Sequence, residues 1–266
     1  MQTLILIAAG LFLPLFPLTM VFNAVFQCLH NVWARALLLL AWPLPGIWLL
    51  ATVADEVPAG DIPEWVMIWA LFSAALYAFR AIVVREVGIW SGFIASSAWS
   101  LVWVAYGIGV SSGTESAAPV AQMLLLQAMA FSMPLMLMAL LVSELEKRYE
   151  SAYAGIVSGV AQAQPRLSGL LVIVTLAVIG SPVFPAFFSM LHNITAVIAD
   201  QPMLAAGVGA VWLMWSWSAI RLLQELLVGP APRSRHEDIS RGAVIMYGTL
   251  LVMLVVAGLY IAGVLL

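Results

Sequence analysis

The chain has 266 residues, of which 64% are hydrophobic and 9% charged, and its mean hydropathy is +1.07. A soluble domain carries roughly 25% charged residues, so composition excludes a water-soluble globular fold. Ten basic residues against thirteen acidic ones, a net charge of −3, and the lack of a basic patch leave nothing to hold nucleic acid.

An apolar run of about 20 residues spans a bilayer as a helix. About eight such runs follow one another, over 3–25, 36–53, 64–82, 87–110, 118–143, 168–195, 203–227 and 242–264. They lack the period-two alternation of a lipid-facing β-barrel, whereas helices satisfy every backbone N–H and C=O within themselves. The expected fold is all-α, a polytopic transmembrane helix bundle forming one integral membrane domain over 1–266. The first run resembles the apolar part of a signal peptide. It lacks a basic segment ahead of it and a small-residue cleavage site, and is read as a retained span. A single cysteine, Cys28, excludes an internal disulfide.

The basic residues Arg35, Arg80, Arg85, Lys147, Arg148, Arg166, Arg221, Arg233, Arg235 and Arg241 lie in or beside the connections 26–35, 80–86, 144–167 and 228–241. The alternate connections carry Asp55, Glu56, Asp61, Glu64, Glu115 and Asp200 and no Lys or Arg. Positive residues stay on the cytoplasmic side, so the basic connections are assigned to the cytoplasm and both termini to the outside. Trp33, Trp42, Trp65, Trp90 and Trp103 fall near span ends, where an aromatic belt would sit.

The fifth span is rich in methionine (Met123, Met129, Met133, Met136, Met138), which suits adaptable packing or an intersubunit groove. It runs on into a charged helical end, Glu144 to Glu150. The sixth contains Gly180-Ser-Pro-Val-Phe-Pro-Ala-Phe-Phe-Ser-Met190. Proline removes a backbone donor and clashes with the preceding turn, so this is the one helix expected to break, near Pro182–Pro185. Such a break is either a packing kink or the mark of an ion path. The path would involve Ser181, Pro182, Pro185, Ser189 and His192, with His192 either a proton relay or a hydrogen-bonded packing residue. In the seventh span Ala206-Gly-Val-Gly-Ala210 permits close helix approach. Arg221 and Glu225, four apart on one helix face, form an ion pair that is structural or serves docking. Asp238 or Ser240 is placed to cap the last helix.

Arg166-Leu-Ser-Gly-Leu-Leu, Gly180-x-Pro182-x-x-Pro185-x-Phe187, Trp217-Ser-Ala-Ile-Arg-Leu-Leu-Gln-Glu and Gly229-Pro230 occur in that order. This resembles the C-terminal part of the antiporter-like, proton-pumping membrane subunits of respiratory complex I, Mrp-type cation/proton antiporters, membrane-bound hydrogenases and inorganic-carbon uptake complexes. The resemblance covers 85–266, while 1–84 match poorly. It implies a membrane Glu or Lys in the second half-channel where this chain has Met190, and a histidine on the preceding helix where it has Phe131 or Gln127. The block that carries the first half-channel is expected to be missing. Met and Phe cannot relay protons, and ionisable residues inside membranes normally mark such relays.

The resemblance therefore implies a shortened, degenerate relative: a non-catalytic accessory or structural subunit of an ion-translocating complex in the plasma (inner) membrane of a prokaryote. The complex would be proton- or sodium-coupled, and its type (complex I-like, hydrogenase, Mrp-like or inorganic-carbon uptake) stays open. Its partners would be other membrane subunits, foremost a full-length antiporter-like homologue, or a cytoplasmic catalytic subunit. The alternative is a self-contained secondary transporter with its site at the broken sixth helix. No phosphate-binding loop, dinucleotide fingerprint, metal-ligand spacing or nucleophile–base pattern is present, so an enzyme and a bound cofactor are not expected.

Overall fold

The computed structural model describes residues 2–54, 64–111, 117–230 and 236–265. The loop acids Asp55, Glu56, Asp61 and Glu115 and the basic Arg233 and Arg235 lie outside the described residues. Among the described residues there are helices and no strand: α1 (Gln2–Phe12), α2 (Thr19–Cys28), α3 (Val32–Ala41), α4 (Pro43–Ala54), α5 (Glu64–Val83), α6 (Val87–Ser111), α7 (Ala117–Tyr149), α8 (Val160–Ala163), α9 (Pro165–Val178), α10 (Pro185–Val197), α11 (Pro202–Leu227) and α12 (Arg241–Leu265). Among the described residues, six stretches are long and apolar enough to cross a membrane: α3 with α4 over Val32–Val53, α5, α6, α7, α11 and α12. The chain is a multi-pass membrane protein.

The other two expected spans are each divided. Residues 168–195 form α9 and α10, broken at 179–184 as Pro182 and Pro185 suggest. Residues 3–25 form α1 and α2, broken at 13–18, a break beyond the one expected near Pro182–Pro185. The cause is the same at both, a pair of prolines three residues apart (Pro14 and Pro17; Pro182 and Pro185) that takes away successive helix donors. The isolated Pro134 stays inside the continuous α7.

Helix α6 is the axis of the bundle. Of its membrane-spanning window 94% is buried, against 39% for α5 and α11 and 22% for α12. Its tryptophans decide this. Trp90, Trp99 and Trp103 are buried, and a buried indole N–H needs an acceptor. Trp90 donates to Ser218 Oγ (3.0 Å), Trp99 to Ser132 Oγ (3.1 Å) and Trp103 to the Leu13 carbonyl (2.8 Å). Trp90 and Trp103 are thus core residues, not belt residues. Trp33 and Trp65, 68% and 65% exposed, face outward, while Trp42 packs half-buried against Phe12 and Phe22. On α11, Gly207 faces inward: a Cβ there would run into the Leu71 side chain of α5, while Gly209 faces open space.

At the basic end the connections interlock. Ser240 Oγ accepts from the Ala243 amide (3.1 Å) and caps α12. Asp238 caps a different helix, accepting from the Arg166 and Leu167 amides at the start of α9 (2.9 and 3.2 Å). Gly159, with φ +68°, lies against the Pro230 carbonyl so closely that a Cβ would collide with it.

Candidate functional site: a neutral bundle interior

A helix presents residues four apart on the same face, and on α10 this brings Ser189 and Asn193 together beside Met190, all three fully buried. From α7 the buried Gln127 donates Nε2 to Asn193 Oδ1 at 2.6 Å. Three polar atoms there have no partner: Gln127 Oε1, Asn193 Nδ2 and Ser189 Oγ. Phe131, one turn along α7 from Gln127, meets Trp215 edge-on at 5.8 Å. Of the two residues that the resemblance sets against a histidine, Gln127 reaches the α10 cluster and Phe131 joins the aromatic core. Asn193 escaped the sequence reading. Its signal was a polar side chain four residues after Ser189 inside an apolar run.

His192 lies apart from this cluster. Its Nδ1 is 2.9 Å from the carbonyl of Leu265, the end of α12. A carbonyl only accepts, so that nitrogen carries the proton. Nε2 is buried without a partner. Residues 192 and 193 point to different faces of α10, which keeps the imidazole away from Gln127.

Both breaks leave carbonyls that the helix no longer uses, and side chains occupy them. At the first, Ser100 Oγ donates to the Pro14 carbonyl (2.7 Å), Trp103 to Leu13 (2.8 Å) and Trp69 Nε1 to Phe16 (2.9 Å), while the Phe16 amide donates to Ser73 Oγ (3.0 Å). At the second, Trp212 Nε1 donates to the Ile179 carbonyl (2.7 Å), while the Leu176 carbonyl accepts from both the Ser181 amide (2.9 Å) and Ser181 Oγ (2.7 Å). Gly180 and Val183 have positive φ (69° and 75°), and Pro185 starts α10 at its first turn. Each break also lies under a glycine of a neighbouring helix. A Cβ on Gly46 of α4 would lie 2.8 Å from Leu13 Cγ, and one on Gly258 of α12 would lie 2.7 Å from the Val183 carbonyl oxygen.

Among the described residues, no Asp, Glu, Lys, Arg or His is fully buried; besides Trp and Tyr, the buried polar side chains are Ser, Thr, Asn and Gln. Asn23 of α2 donates to Ser96 Oγ (3.0 Å), Ser97 Oγ to the Ala74 carbonyl (2.7 Å), and Trp215 Nε1 to Ser97 Oγ (2.9 Å). This suits a low-dielectric interior, where a neutral hydrogen-bonded group is tolerated and an isolated charge is very costly.

The ion pairs sit at the basic end. Arg221 Nε is 3.1 Å from Glu225 Oε1, Arg85 Nε is 3.5 Å from Glu225 Oε2, and Arg221 Nη1 donates to the Ile82 carbonyl (2.9 Å). Arg35 pairs with Glu146 at 3.3 Å. Glu86 is held above its ordinary carboxylate range by burial and then by the Glu146 charge, with Arg35 pulling the other way. Partly exposed pairs of this kind contribute about 0–1 kcal/mol each; they tie α3 to α7, and α11 to α5 and the connection that follows it.

By sequence, no protein-family profile and no curated protein matches the chain. By structure, several do. The chain is similar to a chain of the Mrp complex from Dietzia sp. DQ12-45-1b, with a TM-score of 0.82 at 13% identity over 99% of this chain and 58% of that one. It is also similar to a chain of respiratory complex I from Thermus thermophilus with bound NADH (TM-score 0.69, 20% identity, 98% and 58% covered). A third is a chain of the membrane-bound sulfane sulfur reductase, an archaeal respiratory membrane complex (0.79, 16%, 97% and 52%). This is the antiporter-like fold. With 97–99% of the chain covered, the likeness takes in the first 84 residues as well as the stretch whose motifs suggested it. The chain spans about half the length of the chains it matches.

Proposed function

We propose that this antiporter-like chain is a non-pumping membrane subunit of an ion-translocating complex, one that packs beside other membrane subunits and carries neither an enzyme activity nor a proton path of its own. The observation that carries the reading is the neutral interior. Where the resemblance calls for ionisable groups, the chain has Met190 and Gln127, surrounded by Ser189 and Asn193, and none of these exchanges a proton near neutral pH. A pump needs a residue that holds and releases the ion.

Both helix breaks support the same reading. Discontinuous helices serve transport when their free carbonyls line a wet cavity. Here carbonyls at both breaks accept from tryptophan and serine side chains, which makes the breaks packing features. On this reading Arg221, Glu225 and Arg85 lock the basic face, the side on which a cytoplasmic partner would dock.

Purification from the native host in mild detergent tests this. Co-purification with a larger antiporter-like subunit is expected. A lone protein that moves protons or sodium in liposomes would overturn the proposal in favour of a self-contained transporter. Within the assembled complex, His192→Ala should leave ion-translocation activity nearly unchanged, and loss of most of it would assign His192 a relay role.

A further inference from the structure

The cluster around Asn193 has unmet hydrogen-bonding capacity. Gln127, Ser189 and Asn193 are all fully buried, yet Gln127 Oε1, Asn193 Nδ2 and Ser189 Oγ have no partner. Exchanging O and N in both amides leaves the same inventory, one acceptor and one donor unused. Buried polar groups in folded proteins are nearly always satisfied, by protein or by water. The unused groups here comprise an acceptor, a donor and a hydroxyl that does both. An anion would call for donors only and a metal ion for acceptors only. This set matches water, which donates twice and accepts twice and commonly makes about three bonds in such sites.

The same face of α10 runs from the cluster toward a surface cleft. Ser189, Asn193 and Val197 are spaced four apart, and Val197 is one turn, roughly 6 Å, beyond Asn193. Val197 lines a cleft of about 180 Å³, together with Met67, Gly107, Ile108, Ala196, Asp200 and Gln201. The cleft lies at the Asp200 end of α10, opposite the basic connections, with a carboxylate and an amide among its lining groups. In the other direction the face continues into Ala186, Pro185 and Phe184, all buried and apolar.

We propose that Gln127, Ser189 and Asn193 hold ordered water supplied from the Asp200 cleft, forming a blind hydrated pocket that opens only on the side away from the basic loops. A proton carried in by this water meets no base at the closed end, so the pocket hydrates the bundle without conducting. The inference rests on the bundle's own packing and stands whether or not the chain proves to be an accessory subunit.

Cysteine accessibility tests it, because only a thiol that contacts water ionises and reacts. In a Cys28→Ser background, the full-length chain in nanodiscs is treated with methyl methanethiosulfonate after single substitution at Val197, Asn193, Ser189, Ala186 or Val174. The buried Val174 of α9 serves as the dry reference. The thiols of Val197→Cys, Asn193→Cys and Ser189→Cys should react in that descending order, each about tenfold or more faster than Val174→Cys, with Ala186→Cys at the reference rate. Ser189→Cys is nearly isosteric and keeps the measurement valid if Asn193→Cys weakens the fold. Reaction of Ser189→Cys at the Val174→Cys rate overturns the proposal, and so does faster reaction of Ala186→Cys than of Ser189→Cys, which would bring water from the basic side.

Discussion

The two helix breaks start from the same cause and end in different environments. Each arises from two prolines three residues apart, and each is crossed closely by a glycine of a neighbouring helix, Gly46 at the first and Gly258 at the second. The first is held by the long helices α5 and α6, whose Trp69, Ser73, Ser100 and Trp103 bond to its backbone. The second relies on its own Ser181 and on Trp212, and its apex stays open, with Val183 49% exposed. A broken helix becomes rigid when other elements supply the hydrogen bonds it gave up, and the number of outside donors differs between the two.

That difference should be measurable. The largest effect is expected at the first break. Trp103→Phe leaves the enclosed Leu13 carbonyl without its donor and should cost about 2–3 kcal/mol of stability. Trp212→Phe, at the half-buried counterpart, should cost about 1 kcal/mol. Both are read from denaturant unfolding in mild detergent, and equal costs would erase the distinction. Next, Gly258→Ala pushes a methyl group into the Val183 carbonyl oxygen and should destabilise by about 1–3 kcal/mol. Gly209→Ala on α11 meets open space and should be neutral, or stabilising by up to about 1 kcal/mol through helix propensity. A neutral Gly258→Ala would mean that α12 does not press on the second break.

The smallest effect concerns the basic end. Burial and the Glu146 charge raise the Glu86 carboxyl in the folded protein. A raised folded value gives a contribution that is complete below the unfolded value, about 4.3, and is lost as pH rises through the folded value. Glu86→Gln should remove that decline and flatten the stability profile over the mildly acidic range. An unchanged slope would show that Glu86 is fully compensated by Arg35.

Much of this was legible in the chain. The second break follows from Pro182 and Pro185, and the pairing of Arg221 with Glu225 from their spacing. Other features were legible only in part. The first break was equally encoded, by Pro14 and Pro17, a possible counterpart of the second, yet 3–25 counts as one apolar run, because hydropathy measures transfer to lipid and says nothing of backbone geometry. Trp90 and Trp103 looked like belt residues, since distance along a span does not say whether a side chain turns toward lipid or toward a neighbouring helix. Asp238 lies closest in sequence to α12 and yet caps α9, because a carboxylate takes whichever free amides the fold brings near it. Asn193 drew no notice at all, since a lone amide in an apolar run gains meaning only when a partner such as Gln127 faces it.

Composition and the order of the apolar runs were sufficient by themselves to determine a helical membrane protein whose charges lie at its ends, because a bilayer excludes charge and unpaired backbone whatever the packing. Tertiary structure alone decided that α6 is the axis, that both breaks are closed by tryptophan and serine donors, and that Gln127 meets Asn193 deep inside. Those outcomes depend on which helix faces meet, and helices packed in lipid choose their faces through close contacts and hydrogen bonds between residues far apart in the chain.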